Sequence, residues 1–308
     1  MSAAVCQTAT NLEISSARLP ENLANISAYR HVGFFYLGAT AIPWATWLFA
    51  GWNSHRPPGL SWPPSILLAL GTLGLAAPML LASVLIGRDP ILRRDVINRL
   101  FRWPRQGGRF VALAFLLMPV SILLAQVLSL TVGYGATQFR FAQHPSFTMG
   151  GMSAWAILVI APVVEELGWH TYGTDALLRR WPVFASSMLF AAYWGIWHIP
   201  LSSIKGYYHS NVMMSGWLYS LNFLLSIFPF VMLMNWLYLR TGRNISVAVV
   251  FHITAGVFNE ILQTDPASKV IQTGLLILLS FIVLWRERAL FFQKPAFATL
   301  PTHPSSLP

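Results

Sequence analysis

The sequence Ala161-Pro162-Val163-Val164-Glu165-Glu166-Leu167-Gly168-Trp169-His170 places two adjacent carboxylates at the end of an apolar segment. The residues before the pair, 141–164, include no Asp, Glu, Lys or Arg, and the 308-residue chain has only ten acidic residues. A carboxylate at the centre of a membrane helix costs roughly 3 kcal/mol, so ionisable residues at that depth usually have a function. The pair therefore predicts a functional site; the simpler alternative is that it marks the water interface where a span ends.

The composition indicates a membrane protein. Hydrophobic residues make up 55% of the chain and charged residues 10%, whereas a soluble domain carries roughly 25% charged residues. Several uncharged runs exceed the roughly 18 residues that suggest a spanning helix, which excludes one large soluble core. The single cysteine, Cys6, excludes an intramolecular disulfide.

The apolar runs predict an all-α fold, a polytopic membrane helix bundle of about eight helices with a polar site buried between them. Residues 1–30 are predicted to be a polar cytoplasmic tail, residues 31–290 the bundle, with its motif-bearing core at 150–262, and residues 291–308 a second cytoplasmic tail. The predicted spans are 32–52, 64–87, 110–133, 151–178, 183–201, 216–239, 245–262 and 270–285.

The basic residues predict the orientation. Sixteen of the twenty Lys and Arg residues, including Arg99 and Arg243, lie in the tails or in loops on the same side as the tails. Lys and Arg accumulate on the cytoplasmic side, so both termini are expected in the cytoplasm. The compact chain and the string Glu165-Glu166-Leu167-Gly168-Trp169 favour a bacterial inner membrane. We expect these arginines to face anionic lipid headgroups and not nucleic acid. The four on the opposite side are Arg56, Arg140, Lys205 and Lys269.

Two histidines also lie deep in apolar sequence. His198 follows Trp194-Gly195-Ile196-Trp197, and His252 follows Val249-Val250-Phe251. At 1.5 Å per helical residue, Glu165 and His198 lie about 21 and 22 Å from the cytoplasmic ends of their spans, and His252 about 12 Å. These depths permit the three residues to meet; a lone membrane histidine that only bonds a neighbouring helix is the alternative.

The spacing of the first motif places its two carboxylates on different faces of the helix. Glu166 and His170 are four residues apart and share a helix face, so they are expected to pair. Glu165 points elsewhere and is free to hold a water molecule. Burial beside a second carboxylate favours the general-base role for one of the pair.

The chain resembles the CPBP family of intramembrane endopeptidases, which includes the CAAX prenyl endopeptidases and the abortive-infection membrane proteins. The family pattern is Glu-Glu-x-x-x-Arg, then Phe/Trp-x-x-x-His, then His-x-x-x-Asn/Asp. Its counterparts here begin at Glu165, at Trp194 and at His252, within residues 150–260. The sequence departs from the pattern at His170, which replaces Arg, and at Gly256, which replaces Asn or Asp.

The resemblance implies hydrolysis of a peptide bond in a membrane-associated protein or peptide. Glu165 would activate water with His198 as its partner, and His252 would stabilise the oxyanion, with Asn259 replacing the amide missing at Gly256. Glu166 completes the predicted catalytic set of Glu165, His198 and His252. The supporting residues are His170, Asn259, Trp169 and Trp194. No cofactor is required on this interpretation; the alternative is a zinc site formed by Glu165, His198 and His252.

Two other functions stay open at the level of sequence. A non-catalytic protein of the same fold would bind a partner or peptide, and the substitutions at His170 and Gly256 favour it. A transporter would use the Glu and His residues as a proton relay, but the inverted repeats expected of such proteins are not evident. The substrate and the oligomeric state do not follow from the sequence.

The orientation is directly testable. Cysteines introduced at residue 100 and near both termini should react with a membrane-impermeant thiol reagent only after the cells are opened. Cysteines in the loop that carries Arg56 should react in intact cells and serve as the control. Labelling of position 100 in intact cells would contradict the eight-span arrangement.

Overall fold

The computed structural model describes residues 26–101, 107–146 and 153–293, and over these ranges the chain is a helical bundle. The fold predicted from the sequence is confirmed. The only pairing of β type in these ranges is an isolated bridge between Phe141 and Leu262. The α-helices are α1 (Val32–Ser54), α2 (Pro64–Gly87), α3 (Pro90–Phe101), α4 (Gly108–Leu130), α5 (Ala154–Gly168), α6 (Thr174–Leu178), α7 (Val183–Trp197), α8 (Tyr208–Met214), α9 (Trp217–Arg240), α10 (Ile245–Glu260), α11 (Pro266–Arg286) and α12 (Arg288–Phe292).

Each of the eight predicted spans falls on helix. Among the described residues five helices, α1, α2, α4, α9 and α11, are long and apolar enough to cross a membrane, and α10 is a shorter apolar helix. The last span is longer than predicted, because α11 has 21 residues. The lipid-facing side of these helices carries exposed apolar side chains such as Leu37 and Trp285.

The remaining two spans contain breaks that the apolar pattern did not predict. The fourth runs from α5 through a π-helical turn, Trp169–Gly173, into α6; π turns widen a helix and often occur at functional sites. The fifth is shorter than predicted, since α7 ends at Trp197 and a 3-10 turn, Ile199–Ser203, follows. Pro200 accounts for this ending, because a residue before proline disfavours helical geometry.

Gly168 allows α5 to approach α2 closely. A Cβ atom added at Gly168 would lie 2.7 Å from Cβ of Pro78 and 2.8 Å from the backbone nitrogen of Met79. No side chain fits at such distances, so only glycine permits this crossing. The contact fixes the depth of α5, and with it the position of Glu165 and Glu166, against α2.

Two of the arginines expected to face lipid headgroups are instead buried. Arg99 on α3 is 3% exposed and Arg243, between α9 and α10, is fully buried. Arg99 lies 2.9 Å from both Asp95 and Asp175, and Arg243 lies 3.0 Å from Asp95 and 2.5 Å from Asp175. Headgroup contact was the wrong prediction for these two residues, because Asp95, one helical turn before Arg99, and Asp175, distant in sequence, supply their charge partners.

This cluster of two arginines and two aspartates is closed by tyrosine hydroxyls. Tyr29 donates to Asp95 at 2.6 Å, and Tyr238 donates to Asp175 at 3.0 Å. Burial would lower the pKa of Arg243, but Asp175, Tyr238 and Asp95 raise it well above its usual value. The arginine therefore stays charged, and the cluster carries no net charge from its four ionic members.

The N-terminal end of the described chain belongs to the bundle. Within the segment predicted as a tail, Ile26 and Tyr29 are fully buried against the core. Residues 1–25 and most of the second tail, 294–308, lie outside the described residues, so the tail predictions for them stay predictions.

We expect Arg243→Met to destabilise the protein by about 3–5 kcal/mol, since removing one partner of a buried ion network leaves its carboxylates uncompensated. Arg240→Met is the matched control: Arg240 ends α9, pairs with Glu287 and is partly exposed, so its loss should cost about 1 kcal/mol or less. Thermal unfolding in detergent measures both. Equal losses of stability would contradict a special role for the buried cluster.

Candidate active site

The π turn keeps the first motif in the bundle interior. Glu165 is 6% exposed, whereas Glu166 and His170 are completely buried. Arg99 donates hydrogen bonds to the backbone carbonyl of His170 at 2.9 Å and to that of Thr171 at 3.1 Å. These bonds satisfy carbonyl groups in the π turn and tie the buried ion cluster directly to the residue that contacts Glu166.

The carboxylate of Glu166 bridges two histidines from different helices. One oxygen contacts Nδ1 of His170, as the spacing of four residues predicted, and the other lies 2.7 Å from Nδ1 of His252 on α10. Glu166 is thereby held by two donors and fixes the ring of His252. A carboxylate held in this way is suited to positioning more than to proton transfer.

His170 is also held at its second nitrogen. Its Nε2 lies 3.0 Å from Oδ1 of Asn235, whose amide nitrogen donates to Ser187 Oγ at 2.9 Å. With Asn235 in this orientation, Nε2 faces an acceptor and Nδ1 faces the carboxylate of Glu166. Both ring nitrogens then face acceptor oxygens, from Glu166 and from Asn235.

Glu165 faces away from this pair and into open space. Trp194 on α7 donates its indole N–H to Oε2 of Glu165 at 3.0 Å, so the tryptophan of the second motif orients the first glutamate. The other oxygen of the carboxylate is thus left to meet a ligand. Glu165 lines two neighbouring cavities of about 400 and 260 Å³.

The hydrogen bond of His198 determines which of its nitrogens is basic. Nδ1 of His198 lies 2.6 Å from the carbonyl oxygen of Trp194. A carbonyl only accepts, so the proton sits on Nδ1 and leaves Nε2 unprotonated. The ring meets Trp194 and Trp197 edge to face, and these contacts fix its orientation.

The two cavities meet at Glu165 and His198. The larger, which we call the apolar cavity, is enclosed by α1, α2 and the chain after α7 and includes Trp47, Leu67 and Leu68. The smaller, the catalytic cavity, is enclosed by α4, α5, α9, α10 and α11 and includes His252 and Gly256. Both are also lined by Ile157, Ala161, Tyr207 and His209. The structure thus brings Glu165, His198 and His252 to one space, with Glu166 directly behind His252.

The supporting residues have separate positions. Trp169 is fully buried and packs on Phe190 and Trp197. Asn259 lines the catalytic cavity, but its amide nitrogen donates to Tyr208 and to Glu260, at 3.1 Å each. A Cβ atom at Gly256 would lie 3.6 Å from Leu158, an ordinary contact. The backbone therefore has room for a small side chain where the family has Asn or Asp.

His209 was not predicted as a site residue. Its ring stacks on His198 with centroids 4.9 Å apart, and it lines both cavities together with Tyr207. The sequence did contain a signal, the run Tyr207-Tyr208-His209 close after the second motif. The helix α8 that begins there was too short to be recognised from its apolar pattern. Asn235 and Ser187 were missed for another reason: single polar residues inside long apolar spans carry no motif.

The zinc alternative needs three side chains gathered around one point. Among the described residues, no three His, Cys, Asp or Glu side chains form a group that could hold a metal ion. Glu165, His198 and His252 share a cavity without forming such a group.

Comparison with known proteins assigns the chain to a family. The model of the family described as Type II CAAX prenyl endopeptidase Rce1-like matches residues 148–258. CAAX prenyl protease 2 of Methanococcus maripaludis is 30% identical over 272 residues, which cover 87% of this chain and 99% of that protein. The chain belongs to this family.

A CAAX-type protease is a membrane endopeptidase, so the enzyme predicted from the three motifs is confirmed at that level. The match over residues 148–258 spans all three motifs. Together with the apolar helices it makes this chain an integral membrane protease. Membership favours hydrolysis over the non-catalytic and transporter alternatives.

The bonds of His170 predict how this CAAX-type protease responds to pH. Loss of the Nε2 proton would leave two acceptors facing each other and would require the Asn235 amide to reverse. If a positive charge at position 170 holds Glu166 in place, activity should fall in alkaline solution, and the fall should depend on which residue occupies this position. His170→Arg should extend the alkaline limb of the pH–rate profile, because arginine stays protonated throughout that range.

The matched control is His170→Gln, which keeps hydrogen bonding but carries no charge. We expect it to be less active at every pH and to lack the alkaline fall. Identical alkaline limbs for the wild type and His170→Arg would show that the charge at position 170 has no such role.

Proposed function

We propose that this protein cleaves a peptide bond close to the carboxyl terminus of a membrane-associated protein or peptide, with Glu165 and His198 activating the attacking water. One observation carries the proposal: these two residues line both cavities where they meet. A substrate that lay across the junction would present its scissile bond to both side chains at once. The integral membrane location of the family fits a substrate that is itself held at the membrane.

In the proposed reaction Glu165 is the general base. Its carboxylate takes a proton from water while the unprotonated Nε2 of His198 accepts a hydrogen bond from the same water and orients it. The water oxygen forms a bond to the carbonyl carbon of the substrate, and the carbonyl oxygen becomes an oxyanion. Glu165 then passes its proton to the peptide nitrogen, the carbon–nitrogen bond breaks, and the products are a carboxylic acid and an amine.

We assign stabilisation of the oxyanion to His252. Its Nδ1 is bonded to the carboxylate of Glu166, whose negative charge stabilises a doubly protonated ring. Such a ring can donate from Nε2 into the catalytic cavity. A donor fixed in advance at the position of the developing charge contributes about 3 kcal/mol to lowering the barrier. Glu166 acts through His252, and His170 acts through Glu166. Asn259 lines the same cavity one turn or more beyond His252 on α10, and its amide is bonded to Tyr208 and Glu260.

The apolar cavity suggests how the substrate is held. Trp47, Leu67, Leu68 and Leu75 give it a largely hydrocarbon lining, which suits an apolar side chain or lipid group on the amino-terminal side of the scissile bond. CAAX denotes a carboxyl-terminal sequence whose cysteine is prenylated, and the related M. maripaludis protein is named a CAAX prenyl protease. We therefore propose a substrate with an apolar or prenylated anchor.

The proposed location is a bacterial inner membrane, with both termini in the cytoplasm. The distribution of the basic residues, sixteen against four, supports the orientation, and the compact chain supports the bacterial membrane. The apolar cavity is lined at one end by Ser54 and Pro64, which flank the α1–α2 connection, and by Lys205 after α7. The orientation therefore also decides from which side of the membrane a peptide reaches Glu165.

The proposal predicts that Glu165→Gln and His198→Ala each lower peptide cleavage at least about a hundredfold, the usual scale for loss of a general base. Glu165→Gln should unfold at nearly the wild-type temperature, because it keeps the side-chain volume. His198→Ala removes a buried ring, so its cleavage rate is measured below its own unfolding temperature. The measurement is cleavage of a synthetic prenylated peptide in detergent or liposomes.

Trp194→Phe tests the orientation of Glu165, because it removes the indole N–H that bonds the carboxylate and keeps an aromatic ring at this position. We expect it to lose roughly tenfold, since one hydrogen bond to a charged group is removed. The assay repeated after treatment with a chelator should give an unchanged rate if no metal takes part. Wild-type rates in both Glu165→Gln and His198→Ala would rule out this mechanism.

A further inference from the structure

A third cavity, which we call the polar cavity, opens from the catalytic cavity and has no role in the mechanism above. It has a volume of about 260 Å³ and shares Tyr208, Phe223, Ser226, Asn259, Gln272 and Thr273 with the catalytic cavity. Its remaining lining includes the amides of Asn211 and Asn222 and several hydroxyl groups. Such a concentration of hydrogen-bonding side chains contrasts with the hydrocarbon lining of the apolar cavity on the other side of Glu165.

Lys269, in the first turn of α11, supplies a cation to this polar cavity. Among the described residues that line the polar and catalytic cavities it is the only Lys or Arg. Its side chain is 25% exposed, and its ion-pair partner is Glu260, with Nζ and Oε1 3.8 Å apart. That separation exceeds a hydrogen bond, so the contact leaves donors of the ammonium group available.

Glu260 is bound more closely by other groups. One of its oxygens accepts from the backbone N–H of Ser146 at 2.7 Å and the other from Asn259 at 3.1 Å. These two donors fix the carboxylate independently of Lys269. The lysine can therefore turn to a second anion while Glu260 stays bonded, although the charge of Glu260 opposes that anion.

We propose that Lys269 binds the terminal carboxylate of the substrate, with the amides of the polar cavity holding the short peptide that cleavage releases. This inference rests on the proposed function and assigns the direction in which the substrate lies. Its apolar anchor occupies the apolar cavity, the scissile bond lies at Glu165 and His198, and the carboxyl-terminal residues extend towards α11. A carboxylate taken into such a site needs a charged or hydrogen-bonding partner, because burying it unpaired is costly.

The test compares two forms of one prenylated peptide, one ending in a free carboxylate and one ending in an amide. Wild-type protein should cleave the free acid with a kcat/KM at least about tenfold higher, the factor expected for one charge-assisted hydrogen bond. Lys269→Met should lose this preference by slowing cleavage of the acid while leaving the amide nearly unaffected. Lys269→Arg should retain most of the preference.

Lys205→Met is the matched control. Lys205 lines the apolar cavity, so its loss removes an equal charge near the same site and should leave the acid-to-amide ratio unchanged. Glu260→Gln removes the opposing charge and should increase the ratio. A wild-type protein that cleaves acid and amide equally would overturn the proposal, and so would a Lys269→Met variant that slows both substrates alike.

Binding measured without cleavage separates this inference from the proposed function. In a Glu165→Gln background the free-acid peptide should bind more tightly than the amide, and adding Lys269→Met should remove the difference. A difference in binding with no cleavage by the wild type would sustain the carboxylate site and refute the proposed reaction. Cleavage by the wild type, together with equal binding of the two peptides, would sustain the reaction and refute the site.

Discussion

The geometry of the site depends on the carboxylate of Glu166, which is completely buried between the imidazoles of His170 and His252. A lone carboxylate at that depth would be strongly destabilising. With a histidine at each oxygen it instead joins α5 to α10 and fixes the ring that we assign to the oxyanion. Glu165, one residue earlier, is excluded from this pairing and faces the cavities. Adjacent residues thus have opposite environments because successive side chains point to different sides of a helix.

The two ends of the bundle are organised differently around this carboxylate. On one side, Arg99, Arg243, Asp95 and Asp175 form a closed cluster, and Arg99 also holds carbonyl groups of the π turn. On the other side, the chain after α7 lines the two cavities that meet at Glu165. A site that must admit a peptide needs space, and the ion cluster supplies rigidity where no space is required.

Local patterns were enough to predict the helical fold, the three motifs and the pairing of Glu166 with His170, because each depends on residues within a few positions of one another. Contacts between distant segments could not be predicted in this way. Arg99 and Arg243 have the flanking positions typical of headgroup contacts. Asp95 precedes Arg99 by four residues on α3, but only the tertiary fold brings Asp175 to Arg99 and both aspartates to Arg243. His252 showed its depth in the sequence but not its bond to Glu166, which joins residues 86 positions apart.

The glycine at position 256, where the family has Asn or Asp, changes the shape of the catalytic cavity. The catalytic cavity is lined by Gly256 and, farther along α10, by Asn259 and Glu260. An amide at position 256 would lie one helical turn from His252, whereas the amide of Asn259 is engaged with Tyr208 and Glu260. The missing side chain therefore widens the cavity beside His252 and leaves oxyanion stabilisation, on the proposed mechanism, to a single ring. That ring is held in turn by Glu166, so the burial of Glu166 matters more here than in a site with two donors.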